Sequence, residues 1–193
     1  MTEVKTQVKS LLDQGWEVYT ADEVRLEHEA ETRRMQPPKG QRTKLSVDRQ
    51  KTSQSFFGAL SLTSKKVKLY PIEVNQNTEQ TILALERLQR ETETEKIAVV
   101  LDNARFHHAK ALTGLYEPGR LLERIMPIHP PPYAPDHNPV EHVRNAAKSN
   151  IATIQRETPE ETFGAFASYV TGRTVDHDFE HLPLRETRND PAP

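Results

Sequence analysis

Apolar and polar positions along this chain alternate between two periods, and the change of period marks the elements. Over residues 2–14, Val4, Val8, Leu11 and Leu12 recur at helical spacing, with Thr2 placed to cap the first turn and Gly15 to end the last. This predicts an amphipathic helix, either covering the sheet or forming the tail of a connector. Residues 16–21 switch to strand character (Trp16, Val18, Tyr19, Thr20) and run into Asp22-Glu23, where the strand is expected to end. Residues 25–35 are polar and continue in a hairpin, and Pro37-Pro38-Lys39-Gly40 marks a turn. Residues 41–47, 53–63 and 66–73 read as strands on short turns, giving three antiparallel strands before the first long internal helix.

That helix is predicted over residues 77–91. Asn77 is its cap, Gln80 holds the capping-box position, and Ile82, Leu85 and Leu88 face inward. The run from Ile97 to Leu101 is uninterruptedly apolar and stops at Asp102, as a strand buried on both faces does. A helix is expected over 107–116, a turn over 121–124 and a short strand over 125–128, before the stiff connector Pro130-Pro131-Pro132-Tyr133-Ala134-Pro135. Asn138-Pro139 then opens a helix with stripe Val140, Val143, Ala147, Ile151 and Ile154. Thr158-Pro159-Glu160-Glu161 caps the last helix, which buries Phe163, Phe166, Ala167 and Val170. Beyond Gly172 the chain turns polar, and a flexible tail is expected.

Composition narrows the class. A chain of 193 residues suits one domain with a substantial core. Without cysteine there is no disulfide framework, thiolate zinc site or cysteine nucleophile. No apolar run approaches the roughly 20 residues of a membrane span, and no signal peptide opens the sequence, so a soluble cytoplasmic protein is expected. The net charge of −2 argues against binding nucleic acid over the whole surface. Its distribution is uneven, however: Arg33, Arg34, Lys39, Arg42, Lys44, Arg49 and Lys51 face a single acid, Asp48, between positions 33 and 51. This strip reads either as a solvated loop and strand edge or as a contact for a phosphate backbone.

Three acids stand where chemistry is usually placed. Asp22 follows the first strand and Asp102 the central one, where a sheet presents ligands. Glu141 lies in the first turn of a helix, where the dipole favours an anion, roughly 120° from the centre of the apolar stripe. Oxygen ligands of this kind suit magnesium, which takes one or two carboxylates together with substrate phosphate oxygens. Two such ions side by side serve in-line phosphoryl displacement.

Asp22-Glu23, Asp102-Asn103-Ala104 with His107, and Pro132-Tyr133-Ala134-Pro135-Asp136-His137-Asn138-Pro139-Val140-Glu141 together resemble the DDE endonuclease domain of mariner-like transposases, especially the bacterial insertion-sequence branch. The resemblance covers residues 16–156. It implies a ribonuclease-H-like α/β fold: a mixed five-stranded sheet, three antiparallel strands then two parallel, flanked by helices. It further implies a catalytic domain over 16–172, preceded by a helix or linker (1–15) and followed by the polar tail (173–193).

On this resemblance Asp22, Asp102 and Glu141 are the catalytic, metal-binding triad for Mg2+ or Mn2+, with two ions expected. Glu23, Asn103, His107 and Asn138 shape the site. Arg33, Arg34, Lys39, Arg42, Lys44 and Lys148 are the expected DNA contacts. The implied reaction is metal-dependent hydrolysis at the ends of a DNA element, followed by attack of the freed 3′-hydroxyl on target DNA. The implied partners are double-stranded DNA, a second copy of the chain when active, and an N-terminal helix-turn-helix module missing from this sequence. The implied setting is the prokaryotic nucleoid.

Two positions depart from the family pattern, Gln36 and Arg144, where tryptophan is usual. Arg144 falls about 60° from the centre of its helix's apolar stripe, three residues from Glu141. There it can pair with Glu141 and compete with metal, or reach outward to a DNA phosphate. The departures favour an alternative reading, a non-catalytic DNA-binding or assembly module of the same fold. Another ribonuclease-H-like nuclease fits the Asn-Pro-x-Glu stretch less well. Zinc at His107-His108 is disfavoured because adjacent helical residues point apart.

Overall fold

The computed structural model describes residues 2–28, 52–73, 76–130, 139–152, 156 and 158–175. Five strands form one sheet: β1 (Glu17–His28), β2 (Thr52–Ser61), β3 (Val67–Ile72), β4 (Ile97–Val100) and β5 (Ile125–Ile128), in spatial order β3-β2-β1-β4-β5. β1, β2 and β3 pair antiparallel, whereas β4 runs parallel to both β1 and β5. This is the mixed sheet that the motifs imply. The strand expected over 41–47 lies outside the described residues, so the three antiparallel strands are those carried by residues 17–28, 52–61 and 67–72.

The helices are α1 (Thr2–Asp13), α2 (Thr78–Arg90), α3 (Lys110–Thr113), α4 (Pro139–Ala152) and α5 (Pro159–Thr171). α2 and α5 start where their caps predict. Asn77 accepts a hydrogen bond from Gln80 N at 2.9 Å, and Thr158 Oγ1 accepts one from Glu161 N at 3.2 Å. The helix expected over 107–116 is broken into a 3-10 turn at Arg105–His108, the single turn of α3, and a second 3-10 turn at Gly114–Tyr116.

Strand alternation sends successive side chains to opposite faces, and each face is covered differently. On one, Tyr19, Ala21, Phe57, Ile97 and Val99 pack against Ala84, Leu85 and Leu88 of α2. Full burial of a leucine such as Leu85 contributes about 1.5–3 kcal/mol. On the other, Val24, Phe56 and Leu60 meet Val140, Val143 and Ala147 of α4 and Phe166 and Val170 of α5. Farther along this face, Val18, Ala98 and Val100 meet Val4, Val8 and Leu11 of α1. The N-terminal helix therefore covers the sheet. Past α5 the chain stays attached through Val175, which is buried and donates its N–H to Lys65 O at 2.7 Å.

Candidate active site

β1 does not end at Asp22. It continues to His28, because β2 pairs with it along the whole stretch from Tyr19 to His28. What ends here is the parallel pairing: Thr20 opposite Val100 is the last β1–β4 pair, and β4 stops. Asp22 and Asp102 thus stand two residues beyond the same pair, the first still within β1 and the second on the chain leaving β4. β1 stays paired with β2 past this point, while its ladder with β4 ends at Thr20.

α4 brings the third acid. Asp22 is paired with Gly58 on β2, and Val140 of α4 lies over that pair. A Cβ on Gly58 would lie 3.8 Å from Val140 Cγ2 and 3.6 Å from Leu69 Cδ1. With Val140 and Val143 seated on the sheet, the adjacent face of α4 turns Glu141 and Arg144 towards Asp22. Arg144 Nη1 lies 2.6 Å from Asp22 Oδ2, and Nη2 lies 3.7 Å from Glu141 Oε1. The guanidinium thus bridges the two carboxylates. Pairing with Glu141 is what the helical spacing predicts; the shorter contact with Asp22 is not.

Glu23 points to the opposite face, where His107 is clamped. His107 Nε2 is 3.1 Å from Glu23 Oε1, and Nδ1 is 2.8 Å from Asp102 Oδ1 and 3.1 Å from Asp102 O. Asp102 Oδ1 also accepts from Ala104 N at 2.9 Å, which folds the chain back after β4. Asn103 Nδ2 donates to Pro130 O and so ties this turn to the end of β5. Alongside, the rings of His108 and His129 lie against each other, tilted by 39°, with centroids 4.4 Å apart.

The charges follow from this packing. Burial pushes the Asp22 carboxyl up to about 7; Arg144 opposes the shift, while Glu141, Glu23 and Asp102 add to it. Asp102 is held below the usual carboxylate range, chiefly by the hydrogen bond from His107, against the effect of burial. Burial alone would lower His107, but its hydrogen bonds to Asp102 and Glu23 carry it up to about 10. At neutral pH the ring is an imidazolium between two carboxylates.

Among the described residues, only Glu23, Asp102 and His107 bring donor atoms within 4.8 Å of one another. The expected Asp22, Asp102 and Glu141 are not gathered that tightly. Asp22 and Glu141 meet through Arg144, and Asp102 meets Glu23 through His107. The donor set nevertheless suits a hard divalent cation, since each of the two groups offers carboxylate oxygens, with Arg144 standing between one pair and His107 between the other. Lys148, one turn beyond Arg144, is exposed at its surface side, and its partial burial with the charge of Arg144 holds its ammonium below the usual range, against Asp22 and Glu27. Asn138, Arg33, Arg34, Lys39, Arg42 and Lys44 lie outside the described residues. No described helix is long and apolar enough to cross a membrane.

Strand alternation gives the face that Glu23 points to, opposite Asp22, but not its partner His107, which lies 84 residues away in sequence. The His108–His129 contact had no local signal, because one ring sits in a 3-10 turn and the other just past β5.

Among solved structures, the fold is similar to that of the Mos1 strand transfer complex (TM-score 0.59, 17% identity, covering 92% of this chain and 51% of that one). It is also similar to the Mos1 transposase paired-end complex with left transposon end (TM-score 0.60, 14% identity, 92% and 55%). A third likeness is to the Mos1 mariner paired end complex with Mn (TM-score 0.56, 16% identity, 88% and 54%). At these identities the likeness is one of fold, the ribonuclease-H-like core, and the chain spans about half the length of the matched proteins. No curated protein matches the chain significantly in sequence. The family model described as DDE superfamily endonuclease matches residues 17–162, most of the chain, and the protein belongs to that family.

Proposed function

We propose that this chain is the catalytic domain of a DNA transposase, cutting phosphodiester bonds at the ends of a DNA element and joining the freed 3′-hydroxyl to target DNA. The observation that carries the reading is the placement of Asp22 and Asp102 two residues beyond one shared strand pair, with Glu141 held over Asp22 by α4. Asp22, Asp102 and Glu141 would hold Mg2+ or Mn2+, two ions in the full site. Such ions supply an activated water or hydroxyl and stabilise the leaving oxygen of an in-line displacement.

The other residues position and balance this set. His107 fixes the rotamer of Asp102, directing Oδ1 inward and leaving the half-exposed carboxylate open on its outer side. Glu23 holds His107 from behind and keeps it charged. Asn103 anchors the turn that carries Asp102. Lys148 stands one turn above the site, where a phosphate would approach, and the basic strip from Arg33 to Lys51 extends the DNA contact. The Mn in the matched Mos1 complex supports the choice of metal. A second copy of the chain and a helix-turn-helix module complete the proposed assembly on double-stranded DNA, in the prokaryotic nucleoid.

Asp102→Asn tests the reading. It is expected to abolish Mg2+- or Mn2+-dependent strand cleavage, with circular dichroism and thermal unfolding showing the fold retained. Unchanged cleavage would remove Asp102 from the mechanism.

A further inference from the structure

The geometry points to Arg144 as a cap on the cation site that bound DNA removes: with no DNA present its guanidinium holds Asp22 and Glu141, and a DNA phosphate draws it away and frees both for a divalent ion. Metal and DNA would then reinforce each other's binding. This rests on the proposed function and adds a control to the same site.

Four observations carry the inference. First, the two terminal nitrogens of Arg144 go to different carboxylates, at 2.6 Å from Asp22 and 3.7 Å from Glu141. A bridging guanidinium thus stands where a cation shared by these two acids would stand. Second, the group is held from that side alone. Arg144 Nε is buried and has no hydrogen-bond partner. Beneath it lies a small cavity of about 20 Å³ whose lining, apart from Asp22 and Arg144, is apolar, including Val24, Leu69, Val143 and Phe166. Once the carboxylates are taken, nothing among the described residues retains the guanidinium.

Third, Arg144 keeps a path out, since about a quarter of its side chain is exposed. Fourth, Lys148 lies one turn away on the same helix and its ammonium feels the charge of Arg144. Two cations this close favour a shared anion. A phosphate offers the planar fork of arginine two or more acceptor oxygens at once, satisfying donors that the site leaves partly unpaired. A tryptophan at 144, without charge, could not make this exchange, and a lysine could make it only in part, having one nitrogen to set between two acids.

Linkage makes the idea measurable, because whatever factor DNA applies to metal affinity, metal applies to DNA affinity. The probe is Mn2+, with free ion counted by electron paramagnetic resonance, titrated into the protein with and without a mixed-sequence DNA duplex at low salt. The Asp22→Asn/Glu141→Gln double variant supplies the background of Mn2+ bound by DNA itself.

For the unmodified protein, DNA should tighten Mn2+ binding by roughly tenfold, within the usual range of coupling between sites. Arg144→Gln should bind Mn2+ roughly tenfold more tightly without DNA, and DNA should then change its affinity by less than about twofold. Arg144→Lys should fall between, and it carries the test if Arg144→Gln does not fold.

Equal Mn2+ affinity in the unmodified protein and the Arg144 variants would overturn the cap. So would tighter binding in Arg144→Gln that DNA still increases tenfold. The underlying reading fails separately: if Asp102→Asn and Glu141→Gln bind Mn2+ as the unmodified protein does, the metal is not at these acids. Loss of binding in those two, with no gain in Arg144→Gln, rejects the cap and leaves the site standing.

Discussion

Replacing His107 by asparagine should change how stability depends on pH, and the structure sets both sign and size. The ring is almost fully buried, with a carboxylate at 2.8 Å on one nitrogen and another at 3.1 Å on the other. Its folded-state value is raised to about 10 from an ordinary 6.5. A group raised on folding contributes stability that is fully present below its unfolded value and is lost as pH climbs through its folded value. Here that window runs from about 6.5 to about 10. At about 1.4 kcal/mol per pH unit the full difference approaches roughly 5 kcal/mol. Asp102 is half exposed, so solvent screens one arm of the clamp, and roughly 2–4 kcal/mol is the fairer expectation.

The assay is urea unfolding followed by circular dichroism at several pH values across the window, on the unmodified protein and on His107→Asn. The stability gap should be widest near pH 6.5 and shrink steadily towards pH 10. Asp22, also raised by burial, titrates near 7 in both proteins and cancels in the difference. A gap that stays constant across the window would show that His107 is neutral in the fold and contributes by packing alone. The clamp would then have to be redrawn with one donor and one acceptor.

Two further substitutions probe the frame that holds the site. Gly58→Ala adds a methyl group whose nearest neighbours stand at ordinary contact distance, 3.6–3.8 Å, at a position without positive φ. It should stabilise by about 0.4–1 kcal/mol through the unfolded chain, and a lowered thermal midpoint would contradict the space seen beneath α4. Phe166 is buried against Phe56, with ring centroids 5.6 Å apart. Phe166→Ala should cost about 3–5 kcal/mol in urea unfolding, and a loss below about 1 kcal/mol would mean that α5 contributes little to seating α4.

Local signals carried most of the frame. The caps Asn77 and Thr158 and the apolar run into Asp102 each depend on neighbours in sequence, and elements begin where those residues place them. The extent of β1 was not legible in the same way. Asp22-Glu23 looks like a strand end by composition, yet a partner strand more than thirty residues later keeps the backbone paired through both acids. The helix expected over 107–116 failed because Asp102 folds the chain back onto Ala104 N and His107 must turn inward to meet it. Arg144 shows the limit most clearly. Its partner three residues away can be read from helical spacing, but its closer partner, Asp22, lies 122 residues away in sequence. Which acids a cation bridges depends on how helix and sheet dock, and no local period encodes that.

Asp22 and Glu23 are adjacent in sequence but serve opposite faces of the sheet, one meeting Arg144 and the other His107. The parity of a single strand therefore assigns the chemistry. A one-residue insertion between Tyr19 and Asp22 would move both acids to the opposite faces, turning glutamate towards the α4 side and aspartate towards the imidazole, while leaving composition and net charge almost untouched. Substitutions in this stretch can be graded and partly tolerated; a shift of frame within it cannot. Natural variation in β1 should therefore take the form of exchanged residues at constant length, with changes in length pushed out to the connections on either side.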